Sequence, residues 1–313
     1  RVDYRLFVKL APAAYIFSLF LSAAVLLFGQ EINGSKRWLN LGPLSFQPSE
    51  FAKVAVILFL TWQIEYSRRR TDGFWFMCRT MLTLLPITGL VGSNNLSTAI
   101  IIFCITMGLI FIAHPKVKPF LIAAGVGIVL IIIFVMILSS SLETSSSFRL
   151  RRILVWLHPE DFASGDGYQT IQALYAIGSG GFLGRGLGNS IQKLGSVPEA
   201  QNDMIFSIVC EELGILGGII LLLLFAYLLY RLFFIAQNAP DMFGSLMVSG
   251  IFIHIALQVI FNIAVVLNLM PNTGVTLPLV SYGGTSIVFL MSEMGLALSV
   301  ARQIKFKEPE RLL

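Results

Sequence analysis

Eight stretches of predominantly apolar residues follow one another along the chain, and each is long enough to be considered as a membrane span. A helix needs about 20 apolar residues to cross about 30 Å of hydrocarbon. The stretches lie near residues 8–29, 49–66, 78–94, 96–113, 118–139, 203–236, 243–270 and 280–303. The third is short, and the sixth and seventh are long enough to tilt or to protrude. The pattern predicts an all-α, polytopic transmembrane helix bundle of eight spans, with one membrane domain over residues 1–313.

Composition supports this class and argues against two others. Apolar residues make up 56% of the chain and charged residues only 12%, whereas a soluble domain carries about 25% charged residues. No basic stripe alternates with exposed aromatic residues, which argues against nucleic-acid binding. Cys78, Cys104 and Cys210 lie in or beside apolar runs without metal-ligand or disulfide spacing, and we interpret them as buried apolar residues.

The distribution of Lys and Arg predicts the orientation, because cytoplasmic loops of membrane proteins are enriched in these residues. Most of them fall on the side that holds both termini, in segments around residues 1–9, 68–79, 116–118 and 302–311. Both termini are therefore expected inside. Residues 30–48, the large loop 140–202 and the turn 271–280 are then expected to face outward together. The chain opens without an initiator Met, as if its first residues were a cytoplasmic flank cut from a longer protein.

The large loop 140–202 between the fifth and sixth spans is expected to be functional, since loops of this length are usually functional or disordered and this one is rich in apolar residues. Residues 168–178 predict a short amphipathic or re-entrant helix at the membrane interface. The following glycines, between Gly178 and Gly188, permit positive φ and close backbone approach. They match neither a Walker loop nor a dinucleotide-binding turn, so tight turns and ligand approach both stay open.

Two polar groups near span ends have a structural and a functional interpretation. Asp203 follows Pro198 where an apolar helix begins, so it could interact with the helix dipole or serve as a desolvated general base. Glu50 and Lys53 are three residues apart on one helical face and can form an ion pair. Such charges within a membrane are either paired structurally or belong to a site. Trp38 is an interfacial anchor or a stacking surface for a sugar or lipid head group.

The turn after residue 270 combines two prolines with Gly274, Gly283 and Gly284. Irregular backbone at membrane depth is tolerated only when it is buried in protein or lines a wet cavity. The apolar stretches contain four further polar residues, Glu211, Glu212, His254 and Glu293. His254, considered by itself, is expected to be a hydrogen-bonded packing residue.

Three separated segments, taken together, resemble the SEDS family of membrane proteins, whose members include RodA, FtsW and SpoVE. The segments are Lys36-Arg37-Trp38 through Gln47-Pro48-Ser49-Glu50, Pro198-Glu199-Ala200 through Asp203 with Glu211-Glu212-Leu213-Gly214, and Leu277-Pro278-Leu279-Val280-Ser281-Tyr282-Gly283-Gly284-Thr285-Ser286. The resemblance covers essentially the whole chain. The family has ten spans, so the eight found here would be its third to tenth. The local sequences around Asn95 and Asn202 are most like those of an FtsW-type division protein of a Gram-positive bacterium. Asn94-Asn95 differs from many members, which have Pro-Asp at these positions.

The resemblance implies a peptidoglycan glycosyltransferase that polymerises lipid II at the outer face of the bacterial cytoplasmic membrane and releases undecaprenyl pyrophosphate. It places the family's essential aspartate on Asp203, as the base that takes the acceptor hydroxyl proton. Positive charge is then needed for the leaving pyrophosphate. The residues expected to bind substrate are Lys36, Arg37, Trp38, Gln47, Ser49, Glu50, Lys53, Arg149, Arg151, Arg185, Glu199, Ser281, Gly283 and Thr285.

The resemblance also implies partners, and it leaves two other functions to be weighed. A class B penicillin-binding protein is expected to dock through its transmembrane helix, on the long spans near 203–236 and 243–270, alongside other divisome or elongasome membrane proteins. No metal-ligand cluster requires a cofactor, and a divalent cation (Mg or Mn) could share the charge of the pyrophosphate. A lipid II flippase and a scaffold for the penicillin-binding protein remain the alternatives.

Overall fold

A computed structural model describes residues 3–32, 35–41, 44–67, 74–114, 148–165, 167–194 and 197–305. The helices are α1 Leu6–Phe28, α2 Pro48–Tyr66, α3 Phe74–Asn94, α4 Leu96–Ala113, α5 Phe148–Leu157, α6 Tyr168–Gly180, α7 Ile205–Gln237, α8 Met242–Val266 and α9 Gly284–Ala301. Seven of the eight predicted spans coincide with helices of this series, and the predicted span 118–139 lies outside the described residues. Five of the helices (α1, α4, α7, α8 and α9) are long and apolar enough, by length and composition, to cross a membrane.

The segment after α1 forms strands, which the all-α prediction did not include. Strands β1 Gln30–Ile32, β2 Ser35–Leu41 and β3 Leu44–Phe46 make an antiparallel sheet in the order β1-β2-β3. Gln30 pairs with Trp38, and Leu39 pairs with Phe46. The chain therefore enters α2 from a strand, and Pro48 occupies the first turn of the helix, where its missing N–H costs no hydrogen bond. The side chain of Gln47, the residue before α2, makes no cap bond and donates to Ser49 Oγ at 3.2 Å.

The chain folds into two compact units. Unit 1 comprises residues 1–115, 227–256 and 284–313, and unit 2 comprises residues 116–226 and 257–283. In unit 1, α2 is buried on most of its surface and packs against α1, α3, α4 and α9. The interior of unit 1 also holds a polar pair. His254 Nδ1 lies 2.9 Å from Glu293 Oε2, and both side chains are buried. His254 is thus a buried packing residue that is paired at Nδ1, while its Nε2 has no hydrogen-bond partner among the described residues.

Unit 2 contains the large loop, and the described part of that loop is built from short helices. The predicted helix at 168–178 is confirmed as α6, and α5 and a short 3₁₀ helix, Pro159–Phe162, precede it. The predicted sixth span, near 203–236, coincides with α7, but this helix is not uninterrupted. Helix α7 is interrupted at Gly214, whose φ of 69° and ψ of −173° are not helical. A glycine tolerates this conformation because it has no Cβ to clash with the backbone.

Candidate active site

Asp203 lies two residues before α7 in unit 2, and its side chain is almost completely buried, with 8% of its surface exposed. Desolvation raises the pKa of this carboxyl to about 6, and repulsion by Glu199 adds to the shift. A backbone hydrogen bond, the charge of Arg152 and a hydrogen bond from Gln169 oppose the rise. The structure therefore holds a carboxylate that titrates near neutral pH, which suits a residue that accepts a proton during a reaction.

A series of hydrogen bonds through Asn272 and Gln169 connects Arg152 of α5 with this carboxylate. Gln169, in the first turn of α6, donates from Nε2 to Asp203 Oδ1 at 3.4 Å and to the carbonyl of Pro198 at 3.1 Å. Asn272 Nδ2 donates to Gln169 Oε1 at 2.8 Å, and Arg152 Nη1 donates to the carbonyl of Asn272 at 3.3 Å. Because both ends of the Gln169 amide are used, its orientation toward Asp203 is fixed.

The backbone of the segment that carries Asp203 is fastened to the irregular segment after α8. Asn262, completely buried in α8, donates from Nδ2 to the carbonyl of Asp203 at 2.7 Å and to that of Val275 at 2.9 Å. Ser281 Oγ donates to the carbonyl of Asn202 at 2.5 Å and accepts from the backbone N–H of Leu277 at 2.8 Å. These bonds satisfy buried polar groups and hold the carboxylate in one position. Ser281, predicted to bind substrate, thus has a structural role in positioning the segment of Asp203.

The glycine-rich segment after α6 packs against the break in α7. The backbone N–H groups of Arg185 and Gly186 donate to the carbonyls of Glu211 and Glu212, and those of Ile215 and Leu216 donate to the carbonyls of Gly181 and Phe182. The break at Gly214 frees helix backbone groups, and a break at membrane depth requires other partners for them. The glycine segment supplies those partners, and Gly181, Gly184 and Gly186 within it have positive φ. The tight turns that the sequence allowed are therefore observed, and approach of these glycines to a ligand stays a prediction.

Glu211 holds the end of the same loop in place through hydrogen bonds. It is fully buried and accepts hydrogen bonds from Ser190 Oγ at 2.5 Å and from the N–H groups of Ile191 at 3.1 Å and Gln192 at 3.3 Å. Arg185, predicted to bind the pyrophosphate, lies with Nη1 3.7 Å from Glu211 Oε1. Arg185 Nε also donates to the carbonyl of Ser179 at 3.2 Å, so the described contacts of this side chain are with Glu211 and with the end of α6.

Several of the predicted substrate residues are brought together in unit 1. Lys36, Arg37 and Ser49 line a pocket with about 290 Å³ of space, open mouth included, beside Asn94 and Asn95. Arg37 Nε donates to the carbonyl of Asn94 at 3.2 Å. Asn95 caps α4 by accepting from the Thr98 N–H at 3.2 Å, which is the structural task an aspartate would perform there. The pocket gathers two cations at the start of α2, a suitable environment for an anionic group.

The predicted ion pair between Glu50 and Lys53 is confirmed. Lys53 Nζ lies 2.9 Å from Glu50 Oε1, and the two side chains are 1% and 8% exposed. Since an unpaired charge in this position would be strongly unfavourable, the pair is at least a structural requirement of α2.

The remaining residues that were predicted to bind substrate lie in different elements and differ in burial. Trp38 lies on β2 and is half-buried, and Glu199 is exposed and has a positive φ of 54°. Thr285 Oγ1 is buried without a hydrogen-bond partner among the described residues, and Gly283 directly precedes α9. Arg149 and Arg151 lie on α5, but their side chains are outside the described part of the structure.

Sequence reasoning missed Gln169, Asn262, Asn272 and Arg152 as functional candidates. Their polarity was visible, but the contacts that join them to Asp203 link segments 34 to 120 residues apart. In the part of the chain that the structure describes, no three or more His, Cys, Asp or Glu side chains are grouped as metal ligands.

These features define a class: a multi-pass helical membrane protein with a buried carboxylate of raised pKa just before a broken helix. Comparison with known proteins specifies it further. The family model for FtsW, RodA and SpoVE, described as cell cycle protein, matches residues 1–306. The chain belongs to this family.

Its relatives include proteins of several cellular roles. Stage V sporulation protein E of Bacillus subtilis is 37% identical, over 97% of this chain and 82% of the relative. A probable peptidoglycan glycosyltransferase FtsW of Thiomicrospira cyclica is 38% identical, over 95% and 77% respectively. FtsW and sporulation relatives thus match to a similar degree, and the assignment to a Gram-positive FtsW stays a prediction.

Solved structures of the family share the fold. A chain of a peptidoglycan synthase complex that coordinates polymerization and crosslinking matches with a TM-score of 0.79 at 29% identity, covering 98% of this chain and 84% of that one. The rod shape determining protein RodA of Thermus thermophilus matches with a TM-score of 0.68 at 30% identity, covering 97% of this chain and 82% of RodA.

Proposed function

We propose that this chain is a peptidoglycan glycosyltransferase that polymerises lipid II, with Asp203 as its catalytic base. The glycosyltransferase activity is supported by the family membership and by relatives named as peptidoglycan glycosyltransferases. The observation that carries the catalytic assignment is the buried carboxylate of Asp203, whose pKa lies near neutral and whose position is fixed by Gln169 and Asn262.

The reaction follows from the chemistry of the groups. The acceptor sugar hydroxyl transfers its proton to Asp203 as its oxygen bonds to the anomeric carbon of the donor. The bond between that carbon and the lipid pyrophosphate breaks, and its electron pair leaves with the pyrophosphate. An α-linked donor and a β-1,4 product differ by one inversion, which indicates a single displacement without a covalent intermediate. No nucleotide is required, because the donor carries the activating pyrophosphate.

Stabilisation of the leaving group is assigned to cations. Lys36 and Arg37 line one pocket with Ser49, which is the grouping that best supports a role in pyrophosphate binding. Trp38, Gln47, Glu50, Lys53, Arg149, Arg151, Arg185, Glu199, Ser281, Gly283 and Thr285 complete the proposed set. A divalent cation, Mg or Mn, would act on the same pyrophosphate oxygens, and the steps above do not depend on it.

We further propose that the whole chain acts as one membrane domain with eight spans, that residues 140–202 form a large extracellular loop, and that Asp203 faces outward from the bacterial cytoplasmic membrane. The excess of Lys and Arg on the opposite side supports this orientation. A class B penicillin-binding protein is the proposed partner. Large apolar residues exposed on the part of α7 that belongs to unit 1, such as Tyr227, Tyr230 and Phe233, offer a surface for its transmembrane helix.

The proposal is tested with purified full-length chain and lipid II. The unmodified chain should produce glycan strands, and Asp203→Ala should produce none while retaining its thermal unfolding transition. Asp161→Asn, which changes an exposed aspartate elsewhere in unit 2, is the matched control and should polymerise normally. Full polymerisation by Asp203→Ala would refute the role of Asp203. Movement of labelled lipid II across vesicles without any glycan product would instead favour the flippase.

A further inference from the structure

Four large apolar side chains project from the loop between α6 and α7 in unit 2. Phe182, Leu183, Leu187 and Ile191 are 67%, 74%, 76% and 60% exposed. We call these four residues the apolar tips. Single exposed apolar residues are ordinary, but a run of large ones on one short loop indicates contact with another apolar phase.

The loop that carries the apolar tips is held firmly by the rest of unit 2. Its backbone bonds to both sides of the break in α7, and the buried carboxylate of Glu211 accepts from Ser190, Ile191 and Gln192. A Cβ on Gly184 would overlap the carbonyl of Glu212, so the loop and the helix are in direct backbone contact. The tips therefore project from a fixed base.

The position of the break places the tips at the level where the membrane span begins. Residues 215–237 alone would be about 34 Å long at 1.5 Å per residue, which is enough to cross the hydrocarbon. The carbonyls of Gly181 and Phe182 bond to Ile215 and Leu216, the first residues after the break. Phe182 and Leu183 thus lie beside the first turn of that span.

The surface of α7 next to the tips is itself apolar and uncovered. Ile215, Leu216, Ile219 and Ile220 are 48%, 41%, 47% and 50% exposed, on the face of a helix that is apolar along its length. In contrast, charged side chains of the loop turn back to the protein, since Lys193 Nζ lies 2.5 Å from Glu212 Oε1 and Arg185 approaches Glu211. The tips therefore continue the exposed apolar surface of the first turns after the break.

We propose that the apolar tips insert among the lipid acyl chains of the bilayer at the end of α7. The loop then acts as a fixed membrane anchor for the unit that carries Asp203. This anchor sets the depth of the carboxylate relative to the membrane surface, where the head group of a lipid-linked substrate lies. The insertion itself does not depend on the proposed catalytic activity.

The test uses the full chain in phosphatidylethanolamine–phosphatidylglycerol vesicles, with Cys78, Cys104 and Cys210 replaced by Ala. An environment-sensitive fluorophore is attached to Leu187→Cys or to Ser164→Cys, an exposed polar position in the same unit. Insertion predicts a blue-shifted emission for the Leu187 label and loss of most of its intensity with lipids nitroxide-labelled on the acyl chain. The Ser164 label should retain a water-like emission and little quenching.

Equal, water-like emission from both labels would overturn the proposal and leave the tips as a surface for a soluble protein. Phe182→Cys provides a second label position, so that one misfolded variant does not decide the outcome. Because the readout is fluorescence, it is separable from glycan synthesis: a quenched Leu187 label in a chain without polymerase activity would support the anchor and count only against the proposed reaction.

Discussion

Replacing Asp203 by Asn should stabilise the protein at neutral and alkaline pH. Folding raises the pKa of this carboxyl from 3.8 to about 6, so the folded state holds the proton more tightly than the unfolded state does. Ionising Asp203 in the folded protein therefore costs about 3 kcal/mol, at 1.36 kcal/mol for each pKa unit. The cost is absent below pH 4, grows between pH 4 and pH 6, and is constant above.

An Asn side chain cannot ionise, and it retains an oxygen that can accept the bond from Gln169. Thermal unfolding of the purified chain, followed by tryptophan fluorescence between pH 4 and pH 8, measures the difference. The Asn variant should match the unmodified chain at pH 4 and unfold several degrees higher at pH 8. Asp161→Asn, at an exposed position, should show no such divergence. The reasoning fails if Asp203→Asn is equally or less stable at pH 8, or if its effect does not change with pH.

Three further outcomes follow from other contacts. Lys53→Met should cost about 3–5 kcal/mol in unfolding experiments because Glu50 is left buried without its partner, and the double variant Glu50→Gln/Lys53→Met should recover much of that loss; equal losses would contradict the buried pair. Gly184→Ala should lower the unfolding temperature more than Gly188→Ala. Both glycines have positive φ, which costs about 1–2 kcal/mol for other residues, but only Gly184 meets the Glu212 carbonyl. Gln169→Leu should move the acidic limb of the pH–rate profile upward, because a hydrogen bond to the ionised Asp203 is lost; an unchanged profile would mean that Gln169 is merely structural.

The membrane helices were predictable because their signal is local. About 20 apolar residues suffice to identify a span, and predicted stretches such as 8–29 and 96–113 fall within a residue or two of α1 and α4. The break in α7 was not predicted, since Gly214 alone within an apolar run is tolerated in a helix. A signal was present, however: residues 215–237 are long enough to cross a bilayer without the nine residues before the break.

The small sheet was also missed, although the sequence held a signal for it. Asn33-Gly34 separates β1 from β2, and an Asn-Gly pair between two short runs is typical of a hairpin. The strands are short and lie in a segment rich in polar residues, so the apolar alternation that marks a half-buried strand is weak there.

For the site, Asp203 was singled out by its position before an apolar helix and then by the family motif. The residues that position it could not be found in this way. Gln169, Asn262 and Asn272 come from three separate segments, and their approach to Asp203 depends on tertiary packing that no local pattern encodes.

The most direct test of Asp203 as the base is the pH dependence of lipid II polymerisation by the purified chain. A base is active only when ionised, so the rate should fall about tenfold per pH unit below a midpoint near pH 6 and level off above it. Asp161→Asn should give the same profile, and Asp203→Ala should remain inactive at every pH. A rate that is constant from pH 5 to pH 8, or a profile retained by Asp203→Ala, would contradict proton transfer to Asp203.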